Sequence, residues 1–330
     1  MDQGEPKSST RWLLAFLLVA FLIAGCRRGH GDETQGRVTY SPNGTQMVFS
    51  VVSGKTCFLL RVETSTGKTT RVTNRKKGCE FDPSFSRNGK KIAYALADKQ
   101  GGSGSLRVID ADGANDHPLL AKDEHEDDDH PVWALGDQKI FFVRSRFFGH
   151  YSPIVGSRRH DLDIFSVSLD GKQVSEVTEQ HLYDINSFSI SPDGERLLIS
   201  TSGYPIGPLI EAYEVKKPQA PNLMYQPHVP GEPAGPGGGP VFGEAVYADD
   251  LTILFLAATS SSPAADFDYN VYKMDSVTGD HVQQITFGKG VAYNLESSPD
   301  GKSAIFARND DIYWVDLQTR AVKRLVAPGK

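Results

Sequence analysis

Ser187-Phe-Ser-Ile-Ser-Pro-Asp-Gly-Glu-Arg-Leu-Leu-Ile-Ser200 reads as strand, tight turn, strand. Ser187, Ser189 and Ser191 alternate with Phe188 and Ile190, the period of a half-buried strand. Pro192-Asp193-Gly194 is turn chemistry: Pro presets φ, Asp bonds its own backbone and Gly accepts positive φ. Leu197, Leu198 and Ile199 then run as a buried strand. Five further copies surround this one: Tyr40-Ser-Pro-Asn-Gly44, Phe85-Ser-Arg-Asn-Gly89, Trp133-Ala-Leu-Gly-Asp137, Tyr247-Ala-Asp-Asp250 and Ser297-Ser-Pro-Asp-Gly301. Each precedes an apolar run, such as Ile92-Ala-Tyr94 or Ile140-Phe-Phe142.

The turn positions Gly44, Gly89, Asp137, Gly194, Asp250 and Gly301 recur 45 to 57 residues apart, a period that signals a repeat architecture. Every unit has a second half, an alternating strand running into a turn, such as Asp163-Ile-Phe-Ser-Val-Ser-Leu-Asp-Gly171 or Asp311-Ile-Tyr-Trp-Val-Asp316. A short polar-apolar strand follows, as in Thr70-Arg-Val-Thr73. That gives four strands per repeat. The expected fold is therefore all-β, a six-bladed propeller of four-stranded antiparallel blades, whose radial closure protects the strand edges.

The Ser-Pro-Asp-Gly turn followed by an Asp-Ile-Tyr-Val-Asp-like strand resembles the WD-like repeat of the TolB family. The propeller domains of prolyl oligopeptidases and dipeptidyl peptidases carry a similar repeat. The resemblance covers residues 37–327 and implies the fold. It does not carry a task with it, because such propellers serve many. TolB proteins also have a separate domain before the propeller. Here ten residues separate Cys26 from the expected first strand, so that domain is not expected and TolB's own function does not transfer.

Residues 1–25 read as a secretion signal. Lys7 and Arg11 are its positive end, and the apolar run from Trp12 to Ala24 is short for a membrane span. The ending Ile23-Ala24-Gly25-Cys26 resembles a bacterial lipobox, with Cys26 as lipid acceptor and residues 26–36 as tether. An uncleaved anchor or an ordinary signal peptide is the other reading. The expected location is the cell envelope, with the propeller outside the cytoplasm and attached to the bilayer through Cys26 only; inner and outer membrane both stay open. Export fits a disulfide between the two remaining cysteines, Cys57 and Cys79, which the blade reading puts at one end of the propeller; two buried thiols are the alternative. The net charge of −6 argues against nucleic acid as partner.

Tight turns such as Pro192-Asp-Gly194 fall on one propeller face, while long segments (122–130, 143–161, 202–208, 221–240, 259–268) fall on the other. Binding is expected on that long-loop face and at the mouth of the central channel. Three features stand out there. Asp123-Glu-His-Glu-Asp-Asp-Asp-His130 reads as a solvated acidic loop or as a divalent-cation site in which His125 and His130 add nitrogen ligands; no cofactor is otherwise expected. The insertion 144–160 mixes Arg146, Arg158 and Arg159 with Phe147, Phe148 and Tyr151, residue types typical of interface anchors, or else folds back to cover the core. Glu80, Asp82, Asp129, Asp184, Asn186, Glu244, Asn294 and Glu296 stand near the starts of the innermost strands, where they form a ring that contacts a partner or only hydrates the channel. The Pro/Gly-rich 218–240 cannot pack a core and reads as an extended loop.

Two functions remain. One is a non-catalytic scaffold that binds an envelope protein or peptide through Arg146, Phe147, Phe148, Tyr151, Arg158, Arg159, Asp129 and Asp184. The alternative is a metal-assisted carbohydrate lyase or hydrolase in the channel mouth. It requires His125, His130, His150, His160 and His181 to converge with Asp184. The sequence has no Gly-x-Ser-x-Gly elbow and no phosphate-binding fingerprint after a strand.

Overall fold

The computed structural model describes residues 33–152, 155–201, 208–217, 220–229, 242–262, 265–309 and 311–326. Residues 1–25, Cys26 and most of the tether lie outside the described residues, as do positions 218–219 and 230–240 of the Pro/Gly-rich loop and the side chains of Phe147, Phe148, His150, Tyr151, Arg158 and His160. No helix among the described residues is long and apolar enough to cross a membrane.

The strands run as successive antiparallel meanders. The first eight are β1 (Glu33–Tyr40), β2 (Gln46–Ser53), β3 (Thr56–Glu63), β4 (Thr69–Arg71), β5 (Cys79–Phe85), β6 (Lys91–Ala97), β7 (Gly104–Asp110) and β8 (His117–Pro118). The next eight are β9 (Asp127–Trp133), β10 (Lys139–Ser152), β11 (Val155–Ser168), β12 (Val174–Glu176), β13 (Ser187–Ile190), β14 (Arg196–Thr201), β15 (Leu209–Glu214) and β16 (Leu223–Tyr225). The last eight are β17 (Phe242–Tyr247), β18 (Thr252–Ser262), β19 (Ala265–Asp275), β20 (Gln283–Gln284), β21 (Ala292–Ser297), β22 (Ser303–Arg308), β23 (Asp311–Asp316) and β24 (Val322–Val326).

Strands β9 to β24 make four separate four-stranded sheets, and β1 to β8 make one eight-stranded sheet. Six separate sheets were expected. The two halves of the large sheet join through a single parallel bridge, Cys57 to Cys79, with the Cys57 N–H donating to the Gly78 carbonyl at 3.3 Å. The Cys57 and Cys79 sulfurs are bonded, and that crosslink sits at the bridge. The first strands β1, β5, β9, β13, β17 and β21 touch in succession, and β21 returns to β1, so the sheets stand radially around a central channel. β1 starts at Glu33, inside the segment expected as tether, because residues 33–35 pair with 50–52 across a register break.

The repeat's turn closes on its own side chains. Ser41 and Ser191 donate Oγ–H to Asn43 and Asp193, Ser86 and Ser298 do the same to Asn88 and Asp300, and each serine Oγ accepts the N–H that starts the next strand. Gly194 at φ 74° lets the chain reverse. The two copies without this glycine work differently. The Asp137 carboxylate accepts N–H groups of Arg87 and Asn88 at 2.7 and 2.9 Å, and Asp250 accepts that of Asp193 at 3.0 Å. Both therefore reach back to the turn of the preceding sheet.

A second repeated device ends the outermost strand. Thr178 donates to Asp163 and Thr286 to Asn270, both at 2.9 Å, and Thr73 donates to Glu80. Apolar faces fill the wedges between sheets. Leu198, Ile210 and Tyr225 pack against Phe255, Tyr272 and Met274, and Val38, Met47 and Phe49 pack against Ile305 and Ile312. Two hairpins outgrow their sheets. The β10–β11 pairing continues to Ser152 and Val155, whereas β9 and β12 stop pairing at Ser145 and Phe165. The β18–β19 hairpin likewise runs on to Ser262 and Ala265. Both rise on the long-loop side.

Candidate functional site at the channel mouth

The innermost strands do not run straight. Register breaks fall between Gln35 and Val38 in β1, Phe81 and Ser84 in β5, Phe242 and Ala245 in β17, and Tyr293 and Glu296 in β21; β9 breaks opposite Phe141 and Val143. A bulge re-aims the side chain it carries. Asp82, His130 and Asn294 take left-handed φ values of 50°, 48° and 56° at these breaks. Pro83 and Pro131, which cannot donate to a ladder, follow the first two. As a result Arg37, Asp82, His130, Asn186, Glu244 and Asn294 line one cavity of about 220 Å³ at the channel mouth.

The ring is stitched between neighbouring sheets. The Arg37 backbone N–H donates to Asp82 Oδ1 at 2.9 Å, and its guanidinium holds Glu296 Oε2 through Nε at 3.1 Å and Nη2 at 2.9 Å. Glu244 accepts the N–H groups of Asn294 and Leu295 at 2.8 and 2.6 Å. Ser187 Oγ donates to the Ala245 carbonyl and accepts its N–H. His130 Nδ1 lies 2.9 Å from Asp129 Oδ1 and 3.1 Å from Asp82 Oδ2. Burial alone would lower the imidazole pKa. The Asp82 and Asp129 carboxylates override it, and His130 is pushed up to about 9. Burial raises Asp129, but Arg159 and His130 together hold it below the usual carboxylate range. Asp127 is pushed up to about 7 by burial and by the charge of Asp129. Burial also raises Glu244 and Glu296, against their hydrogen bonds.

The acidic run is not one solvated loop. Asp123 to His125 are exposed, with the His125 N–H on Asp123, while Asp127, Asp128 and Asp129 are buried in β9. Buried carboxylates need partners. Arg144 supplies a two-pronged pair to Asp128 at 2.7 and 2.8 Å and reaches Glu126 at 3.0 Å, and Arg159 meets Asp129 with Asp127 at 3.7 Å. Arg146 is engaged as well, with Asp161 and Asp163 each at 3.4 Å, with His181 Nδ1 at 2.9 Å, and with Glu176. Two of the expected interface arginines, Arg146 and Arg159, therefore brace the long hairpin. Asp184 accepts Thr201 Oγ1 at 2.8 Å and is not among the cavity-lining residues. Arg37 was not anticipated; its signal would have been its place in the repeat, matching Asp82 and Asn294.

Among the described residues, two triads bring acidic and histidine ligand atoms within 4.8 Å of one another: Asp82, Asp129 and His130, and Asp161, Asp163 and His181. In each a protein cation, the His130 imidazolium or Arg146, already faces the carboxylates. His125 joins neither triad, and His130 and His181 stand in different ones.

No family model matches the chain. TolB, the Tol-Pal system protein of Francisella tularensis subsp. mediasiatica, is 44% identical over 66 residues, 20% of this chain. That match spans 15% of the length of the curated relative. Among solved structures, TolB from Acinetobacter baumannii superposes with a TM-score of 0.61 at 15% identity, covering 99% of this chain and 72% of its own. Kuenenia stuttgartiensis hydrazine synthase gives 0.58 at 14% identity over 89% of this chain and 79% of its own. An oligogalacturonate lyase in complex with manganese gives 0.58 at 13% over 89% and 77%. At such identities the structures speak for the fold alone. The chain therefore has a β-propeller fold like that of the solved TolB structure, and shares local sequence with TolB over 66 residues.

Proposed function

We propose that this chain is a non-catalytic scaffold of the cell envelope whose long-loop face binds a protein or peptide partner. The eight-stranded sheet counts in this reading as two blades clipped together at Cys57 and Cys79, for six in all. Residues 1–25 act as the export signal and Cys26 as the lipid anchor. The observation that supports the reading is the asymmetry of the faces. Both overlong hairpins, β10–β11 and β18–β19, and the polar channel mouth share one side, while the other side is closed by short turns that hydrogen-bond to one another. A relative similar over 66 residues is named for the Tol-Pal system, which fits a protein partner. The lyase reading gains no support, because His130 and His181 belong to separate clusters rather than to one site.

A photo-crosslinking amino acid tests this in cells. At Phe287, 69% exposed in the connection leading into β21, it is expected to trap a protein. At Val277, 54% exposed in a tight turn on the other face, it is not. Equal crosslinking from both faces, or none from Phe287 and from the tips of the two hairpins, would refute the proposal.

A further inference from the structure

The scaffold reading leaves open what chemistry the channel mouth recognises, and the inference here rests on that reading. The carboxylates of the mouth are already engaged. Asp82 serves the Arg37 N–H and His130, Asp129 serves Arg159 and His130, and Glu296 holds the Arg37 guanidinium. Pairing these charges leaves Glu244 over, and each of its oxygens takes a backbone N–H. What remains is donor capacity. Four side-chain atoms of cavity-lining residues are closed off from bulk solvent and make no hydrogen bond among the described residues: Asp129 Oδ1 and His130 Nδ1, which face each other as an ion pair at 2.9 Å, and the donors Arg37 Nη1 and Asn294 Nδ2, which face no such counter-group. Both donor residues line the cavity, from β1 and β21, which lie side by side where the ring closes.

A buried donor left unsatisfied costs roughly 1–3 kcal/mol, and more when it is charged. Two such donors on adjacent strands, one guanidinium and one carboxamide, match the two oxygens of a carboxylate, which accepts charge-assisted hydrogen bonds of short length. A cationic group would instead meet Arg37 and His130, and the cavity carboxylates Asp82 and Asp129 already face protein cations. A cavity of about 220 Å³ has room for a side chain or a chain end, not for a folded domain.

We propose that the channel mouth takes a carboxylate of a peptide partner, held between Arg37 Nη1 and Asn294 Nδ2. Two sources share this chemistry, an acidic side chain and a C-terminal carboxylate. The purified full-length chain is titrated by ligand-observed NMR with acetyl-Gly-Asp-Gly-amide and with acetyl-Gly-Gly-Gly, against acetyl-Gly-Asn-Gly-amide as the uncharged control. At least one acid is expected to bind about tenfold more tightly than the control, and the one that does identifies the source. Arg37→Lys and Asn294→Gly are each expected to remove about that factor for the acid and leave the control unchanged. Asn294 sits at φ 56°, which glycine adopts freely, so Asn294→Gly keeps the test sound if Arg37→Lys disturbs folding. Equal binding of all three peptides, no binding of either acid, or wild-type acid binding by folded Asn294→Gly overturns the proposal. Crosslinking from Phe287 separates the two readings. If it persists while the acids fail, only the carboxylate site falls; if it is absent too, the scaffold falls with it.

Discussion

Reducing the Cys57–Cys79 bond is expected to destabilise the propeller by an amount that follows from the loop it closes. The two residues are 22 apart in sequence. In the chain-entropy treatment a loop of that length removes about 11 cal/mol/K from the unfolded chain, or about 3 kcal/mol at room temperature. Both residues are buried beside Val52 and Phe81, so free thiols remain packed and little native-state contact is lost on reduction. For the roughly 270 described residues the unfolding entropy is about 0.6 kcal/mol per kelvin, which turns 3 kcal/mol into a melting shift of about 5 °C. The assay is calorimetry of oxidised and reduced protein, with alkylation and mass measurement to confirm that both thiols are free. Cys57→Ala/Cys79→Ala should melt at or slightly below the reduced form and be insensitive to reductant. A shift under 1 °C with both thiols titrated would refute the reasoning. It would mean that β3 and β5 are held in register without the crosslink, and that the unfolded chain gains no freedom from its loss.

Three further outcomes can be measured alongside. His130 has a folded pKa of about 9 against an ordinary 6.5, so its contribution, on the order of 3 kcal/mol, is complete below pH 6.5 and lost as pH rises through 9; wild type should lose melting temperature between pH 6.5 and 9.5, while His130→Asn starts lower and stays flat, and parallel slopes would contradict the assignment. Gly171→Ala should cost about 2 kcal/mol or more in chemical unfolding, because a Cβ there would sit 2.3 Å from the Leu119 carbonyl, whereas Gly44→Ala, with nothing within 4 Å, should cost only the backbone strain of about 1 kcal/mol; equal losses would show that the close approach relaxes freely. Asp137→Ala should cost about 1 kcal/mol by releasing the Arg87 and Asn88 N–H groups, with faster hydrogen exchange at those two amides; unchanged exchange would remove the turn-to-turn link.

How far the sequence could be read follows from the range of each interaction. The Ser-Pro-Asp-Gly turns were legible because Ser191, Asp193 and Gly194 satisfy one another within a few residues. The turns at Asp137 and Asp250 were legible as turns only, since their partners lie 50 and 57 residues earlier. The channel ring was visible in outline, because Asp82, Glu244 and Asn294 recur at strand starts. Arg37 was missed for lack of an acidic or amide side chain to match the pattern. The run from Asp123 to His130 misled for a different reason. A row of charges looks solvated when read along the chain, but Arg144 and Arg159 neutralise its second half from β10 and β11, across the sheet. The carboxylates of that half are buried only because those cross-strand partners exist.

The sheet of β21 to β24 and the strands β1 to β4 meet without exchanging a strand. Among the described residues the seam where the ring closes is made of side chains: Arg37 on Glu296, and Val38, Met47 and Phe49 against Ile305 and Ile312. Most other boundaries between sheets are of the same kind, apart from the bridge at Cys57 and Cys79. The boundary between β24 and β1 therefore resembles most others in the ring. A circularly permuted gene that joins β24 to β1 and opens the chain between β12 and β13 would sever no ladder, and its product should close into the same propeller.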